Sequence, residues 1–136
     1  MTDEEKLAMV AALYTASGSG DFDTAETMLT EDFFIREAQG LPMAGEYHGR
    51  TALRNLYAQV FGTLKVADLE QECITAGGDC VVNLISFRFV DEHLPRAELA
   101  ELFRFRDGKV CEIRPYYFDP QPIMQAWEYY SSSKDN

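Results

Sequence analysis

The chain has 136 residues, 46% of them hydrophobic and 26% charged, the usage of one globular domain with a core of its own. Lys and Arg number 12 against 23 Asp and Glu, for a net charge of −11 and a pI near 4.5; proteins that grip nucleic acid or anionic lipid carry the opposite balance, so neither partner is expected. No run reaches the ~18 apolar residues of a membrane span, and the start Met1-Thr2-Asp3-Glu4-Glu5-Lys6 is acidic where a signal peptide is basic, so the expectation is a soluble, cytoplasmic protein.

Leu7, Val10 and Tyr14 recur at helical spacing from Asp3 to about Ser17, with Asp3, Glu4 and Glu5 suiting the positive N-terminal end of a helix. Ser17-Gly18-Ser19-Gly20 breaks that helix, and Asp21 stands as N-cap of a short second one carrying Phe22, Ala25, Met28 and Leu29. Phe33-Phe34-Ile35 reads as a short strand and Gly40 to Gly49 as a loop. A third helix spans Arg50 to Phe61, with Leu53, Leu56, Tyr57, Val60 and Phe61 as its apolar stripe.

The second half reads as sheet. A strand from about Lys65 to Thr75 turns at Gly77-Gly78-Asp79 into Cys80–Val90, and Asp91 to Arg96 is a loop. Ala97–Arg106 turns at Asp107-Gly108, a strong hairpin signal, into Lys109–Phe118. Ile123–Tyr130 reads as a terminal helix, so the expected organisation is one domain over 1–130 and a frayed tail over 131–136. Helices first and a meander afterwards predict an α+β fold with the helices gathered on one face of an antiparallel sheet. The three cysteines, Cys73, Cys80 and Cys111, match no zinc or redox spacing and are expected as small buried apolar residues.

Strand alternation then sorts the side chains. Leu99, Glu101, Phe103 and Phe105 share one face, as do Val81, Asn83, Ile85 and Phe87, while Ile113, Pro115 and Tyr117 look inward from the last strand. Glu101 and Asn83 are therefore polar residues in otherwise apolar rows.

Several strings in this order are familiar: Gly20-Asp21-Phe22-Asp23, Leu29-Thr30-Glu31-Asp32-Phe33, His48-Gly49-Arg50-Thr51-Ala52-Leu53, and Phe103-Arg104-Phe105-Arg106-Asp107-Gly108-Lys109-Val110-Cys111-Glu112-Ile113. From about Glu5 to Phe118 the chain resembles the SnoaL-like branch of the nuclear transport factor 2-like superfamily, which includes polyketide cyclases and ketosteroid isomerases. The resemblance implies a cone-shaped, cystatin-like α+β barrel, its curved sheet wrapped around three N-terminal helices over an internal apolar pocket. It also implies a homodimer formed through the outer sheet face, where Arg114, Tyr116 and Phe118 make a stripe.

Laid beside the isomerases without a gap, Glu37 falls on the catalytic base and Glu101 on the carboxylic acid of the oxyanion hole. Tyr57 falls on a pocket tyrosine. The oxyanion tyrosine would stand at Leu13, with Tyr14 one residue late, about 100° around a helix. Both carboxyls are Glu where the isomerases use Asp, a methylene longer, which shifts a base relative to a steroid. The physics suits the roles, because a carboxyl among apolar side chains has its charged form disfavoured and works as a base near neutral pH or as a donor.

The candidate catalytic residues are thus Glu37, Glu101, Tyr57 and Tyr14, and the candidate substrate-binding residues Asn83, Phe87, Phe103, Ile113, Tyr117 and His48. The expected ligand is a small hydrophobic carbonyl compound, with no cofactor and no metal. Each residue also has a plainer reading: Glu37 as a solvated loop residue, Glu101 paired with Arg36 or Arg88, Asn83 as a satisfied core amide, the tyrosines as core. Two function classes follow, an isomerase, cyclase or dehydratase working by carboxyl acid–base chemistry, and a non-catalytic ligand-binding or dimeric interaction module. An epoxide hydrolase of the same fold would have to draw on Asp32, Arg36 and His48.

Overall fold

A computed structural model describes residues 1–134. Helix α1 (Asp3–Gly18) opens on a reciprocal capping box, in which Thr2 Oγ1 accepts from the Glu5 amide and Glu5 Oε1 accepts from the Thr2 amide. It buries Lys6, Val10, Leu13, Ala16 and Ser17, a stripe shifted from the expected Leu7, Val10 and Tyr14. Lys6 is seated by donating to the Gly78 carbonyl, which ties α1 to a turn of the sheet. Asp21 caps the short α2 (Phe22–Glu26) by accepting from the Thr24 amide at 3.2 Å.

The first strand is longer than Phe33–Ile35: β1 runs Leu29–Glu37 with Phe33, Ile35 and Glu37 buried in alternation. The expected loop over Gly40 to Gly49 contains a strand of its own, β2 (Gly45–His48), paired antiparallel with the end of β1. The third helix begins at α3 (Ala52–Leu56), passes through a π-helical turn at Tyr57–Phe61 and ends in α4 (Gly62–Leu64), three residues beyond the expected end. Then come β3 (Val66–Gly77), β4 (Cys80–Phe89), β5 (Ala97–Arg106) and β6 (Lys109–Tyr117). Asp107 and Gly108 both take positive φ (54° and 77°), the pairing a tight hairpin between β5 and β6 requires. Helix α5 (Gln121–Lys134) extends through residues 131–134, which the sequence assigned to a tail; residues 135 and 136 lie outside the described residues.

The strands form one sheet in the order β2-β1-β6-β5-β4-β3. All neighbours are antiparallel except β1 and β6, which run parallel with Ile35 opposite Ile113. The register shifts within β3/β4, β5/β6 and β1/β6. Such irregularities bend a strand and raise its twist, and they supply the curvature that hydrophobic periodicity does not encode. Helix α1 packs against β3 and β4, and α3 against β1 and β2. The core between them includes Leu13, Phe33, Leu53, Val81 and Phe103.

Of the cysteines only Cys111 is buried; Cys73 is exposed, because β3 is an edge strand with little covering it. Among the described residues no helix is long and apolar enough to cross a membrane.

Candidate functional site

The sheet register brings the inward polar residues into one transverse row. Asn83 on β4 pairs with Glu101 on β5, and Glu101 with Pro115 on β6. Ile35 on β1 pairs with Ile113, so two residues further along these parallel strands Glu37 falls in step with Pro115. Two strand spacings therefore separate the Glu37 and Glu101 backbones, about 10 Å, and both side chains line one cavity of about 610 Å³. That volume suits a small organic ligand.

All the expected site residues except His48 line this cavity: Tyr14, Glu37, Tyr57, Asn83, Phe87, Glu101, Phe103, Ile113 and Tyr117. His48 is exposed on edge strand β2, bonded to Glu46 at 2.9 Å and stacked on Phe34, because at its place in the β1 pairing it shares the outer face. Asp32 and Arg36 also lie outside the cavity, Asp32 on Arg106 and Arg36 on Glu46. Sequence reasoning did not single out Leu53, Leu56 and Val60 as cavity walls, although all three stand on the stripe of the third helix, nor β3 residues Val66 to Leu69, whose strand shows no clear alternation.

Glu101 does not pair with an arginine. Arg36 and Arg88 are engaged elsewhere, and Glu101 Oε1 accepts from the Tyr14 hydroxyl at 2.6 Å. Tyr14 thus reaches the site from its own helical position, beside the wall residue Leu13, and its ring meets Phe103 edge-on at 5.5 Å. Burial raises the Glu101 carboxyl above the ordinary range, opposed by the Tyr14 hydrogen bond. Burial, the Glu101 charge and the shared hydrogen bond all raise the Tyr14 phenol, so the shared proton stays on the tyrosine.

Glu37 is 7% exposed, its Oε1 has no hydrogen-bond partner, and burial followed by the charge of Glu101 pushes its pKa up to about 8. Tyr57 is raised chiefly by burial and then by Glu101, with Ser17 pulling the other way. It is braced by Phe22 at 5.3 Å and Phe61 at 4.3 Å, and Phe61 in turn by Phe87 at 5.7 Å. Asn83 is 0% exposed. Its amide lies near enough to the Tyr14 hydroxyl to favour the phenolate, yet neither polar atom completes a hydrogen bond. Among the described residues no Lys, Arg or His lines the cavity, and no group of three or more His, Cys, Asp or Glu could hold a metal ion.

A curved, unclosed six-stranded sheet with helices over its concave face and a cavity between them defines a cone-shaped α+β pocket protein. The chain belongs to the SnoaL-like domain family, whose model matches residues 10–113. It is similar to an NTF2-like protein of unknown function from Burkholderia xenovorans LB400, 26% identical, with 86% of this chain and 85% of that one covered and a TM-score of 0.69. Bal32a, from a soil-derived mobile gene cassette, is 18% identical over 92% of this chain and 98% of its own, with a TM-score of 0.75. A protein of unknown function with a cystatin-like fold from Xanthomonas campestris is also 18% identical with a TM-score of 0.75, over 90% of this chain and 96% of its own. No curated protein matches the sequence. At such identities these likenesses establish the NTF2-like, cystatin-like fold and leave the chemistry to the site.

Proposed function

We propose that the cavity catalyses cofactor-independent proton transfer on a hydrophobic carbonyl compound. The observation that supports this most is a pair of buried carboxyls sharing one largely apolar cavity, with the pKa of Glu37 up at about 8. Such a carboxyl is a stronger base than an exposed one and ionises near neutral pH. Glu37 takes the proton α to the carbonyl. Glu101, whose ionised form burial disfavours, donates in its protonated form to the oxygen as it becomes an enolate, while Tyr14 donates to the other Glu101 oxygen. The apolar walls exclude water, and Tyr57, Phe103 and Tyr117 position the ligand. Glu37 then returns the proton: to another carbon in an isomerisation, to the alkoxide formed when the enolate attacks a second carbonyl in a cyclisation, or to a departing β-hydroxyl, which leaves as water, in a dehydration.

The test is deuterium exchange into β-tetralone together with NMR titration of the glutamate carboxyls. Exchange above the buffer rate, reduced about 100-fold or more by Glu37→Gln, is expected. Ionisation of both Glu37 and Glu101 near 4.3 with no exchange would refute the proposal.

A homodimer through the outer sheet face is part of the same proposal. It is supported by exposed apolar groups there, Leu84 and Tyr116, with Phe118 84% exposed just beyond β6. Sedimentation tests it: Tyr116→Glu should yield a folded monomer, and an unchanged sedimentation coefficient would count against this face.

A further inference from the structure

We propose that the cavity binds a lipophilic cation, a ligand whose protonated amine sits between Glu37 and Glu101 within a surround of aromatic rings. The inference rests on the same pairing of carboxyls as the proton-transfer reading and departs from it in the charge of the ligand.

Three independent features converge. The first is the charge balance of the walls: Glu37 and Glu101 lie inside, Asp68 at the lining's β3 side is already paired with Arg88 at 2.9 Å, and among the described residues no Lys, Arg or His lines the space. An anionic ligand would meet two carboxyls and no counter-charge. The second is the set of buried acceptors without donors. Glu37 Oε1 and Asn83 Oδ1 are buried and unpartnered, as is the Asn83 Nδ2 donor, and an ammonium brings three N–H groups to the two acceptors. The third is the rings: Tyr14, Tyr57, Phe61, Phe87, Phe103 and Tyr117 all line the cavity. A cation near a desolvated ring face is attracted by the ring quadrupole, whereas an anion is repelled. The net charge of −11 also concentrates cations around the molecule.

Occupancy is coupled to protons. The titratable groups facing Glu37 are Glu101 on β5, Tyr117 on β6 and Tyr47 on β2, with Tyr14 and Tyr57 from the helices electrostatically linked through Glu101. None supplies positive charge. The ammonium binds best to the carboxylate, so below about pH 8 its entry displaces the Glu37 proton. Amine affinity therefore rises with pH, by up to about tenfold per unit, until Glu37 is ionised or the amine itself loses its proton.

The experiment compares three fluorescent probes of one skeleton, pyrenylmethylamine, pyrenylmethanol and pyrenecarboxylate, titrated at pH 6.5 and 8 in low salt and in half-molar salt. At pH 8 the amine should bind about tenfold or more tightly than the alcohol, and the carboxylate about tenfold more weakly. The amine's advantage should shrink at pH 6.5 and persist in high salt. Glu37→Gln should abolish that advantage, and alcohol binding that stays measurable in the variant reports an intact cavity. An amine no better than the alcohol, a carboxylate equal to it, or a preference that high salt erases would overturn the inference, whatever the variant does. Exchange into β-tetralone without amine preference refutes this inference alone; amine preference without exchange refutes the proton-transfer reading alone.

Discussion

Glu37→Gln should make the protein more stable at alkaline pH while changing it little in acid. The unfolded chain ionises this carboxyl at an ordinary pKa near 4.5, and the folded chain at about 8. Between those values the native state holds a proton that the unfolded state has released, so stability falls as pH rises. At about 1.4 kcal/mol per pH unit the loss across the window sums to as much as roughly 5 kcal/mol, a large share of what a domain this size possesses. Glu101 is raised as well and acts with the same sign. Surface carboxyls whose pKa is lowered, Glu5, Asp21, Asp32 and Asp91, act below this window, because their contribution is lost only as pH falls through their depressed values. Glutamine keeps the shape and cannot ionise. Urea unfolding from pH 5 to 8.5 should show the wild-type midpoint falling by about 2 M, with a clearly shallower fall in the variant and agreement of the two near pH 5. Parallel wild-type and variant curves would refute the burial argument for Glu37, as would a wild type that gains stability over this range.

Tyr14→Phe removes the donor to Glu101 Oε1, and since that bond favours the ionised carboxyl, the Glu101 pKa should rise further, as carbon-detected NMR would record. The same variant should cost about 1–3 kcal/mol in urea unfolding at pH 6. Asn83→Leu replaces an amide whose buried atoms have no partner with an apolar side chain of the same branched shape, its extra bulk facing the cavity that Asn83 lines. It should be neutral or stabilising by about 1–2 kcal/mol; a loss of more than that would mean the amide is satisfied in solution.

The long strands β4, β5 and β6 are legible because one face of each is buried, and burial with period two writes itself into the residue order. Asn83 and Glu101 stood out for the same reason. Strand β1 was half hidden because exposed Glu31 and Asp32 interrupt its apolar residues between Thr30 and Phe33. Yet Phe33, Ile35 and Glu37 alternate, and extending the strand by two residues would have placed Glu37 inside from sequence alone. Strand β2 is a short edge with Glu46 and His48 facing out, so it has no apolar row to announce it. The π-helical turn is silent because Leu53, Leu56, Tyr57, Val60 and Phe61 form a continuous apolar stripe whether or not a residue is inserted. The parallel pairing of β1 with β6 joins residues far apart in the chain, and the cavity depends on curvature set by bulges. Neither leaves a local signature.

Burial alone does not strand a carboxyl in this fold, as Glu112 shows. It is as buried as Glu37, but on the opposite face of the sheet, where Arg114 Nε donates to it at 2.7 Å and Arg104 Nε at 3.3 Å. The difference lies in the parity of the strands. Arg36 immediately precedes Glu37, Arg88 follows Phe87, and Arg104 follows Phe103; one step along a strand reverses the face. Alternation therefore sends these arginines outward to Glu46, Asp68, Asp79 and Glu112 and leaves Glu37 and Glu101 inward without a counter-charge. An arginine moved one position in any of these strands would neutralise the cavity at the expense of a buried apolar residue. The segregation, set residue by residue along each strand, is what turns an ordinary sandwich of helices and sheet into a pocket lined by two carboxyls and no cation among the described residues.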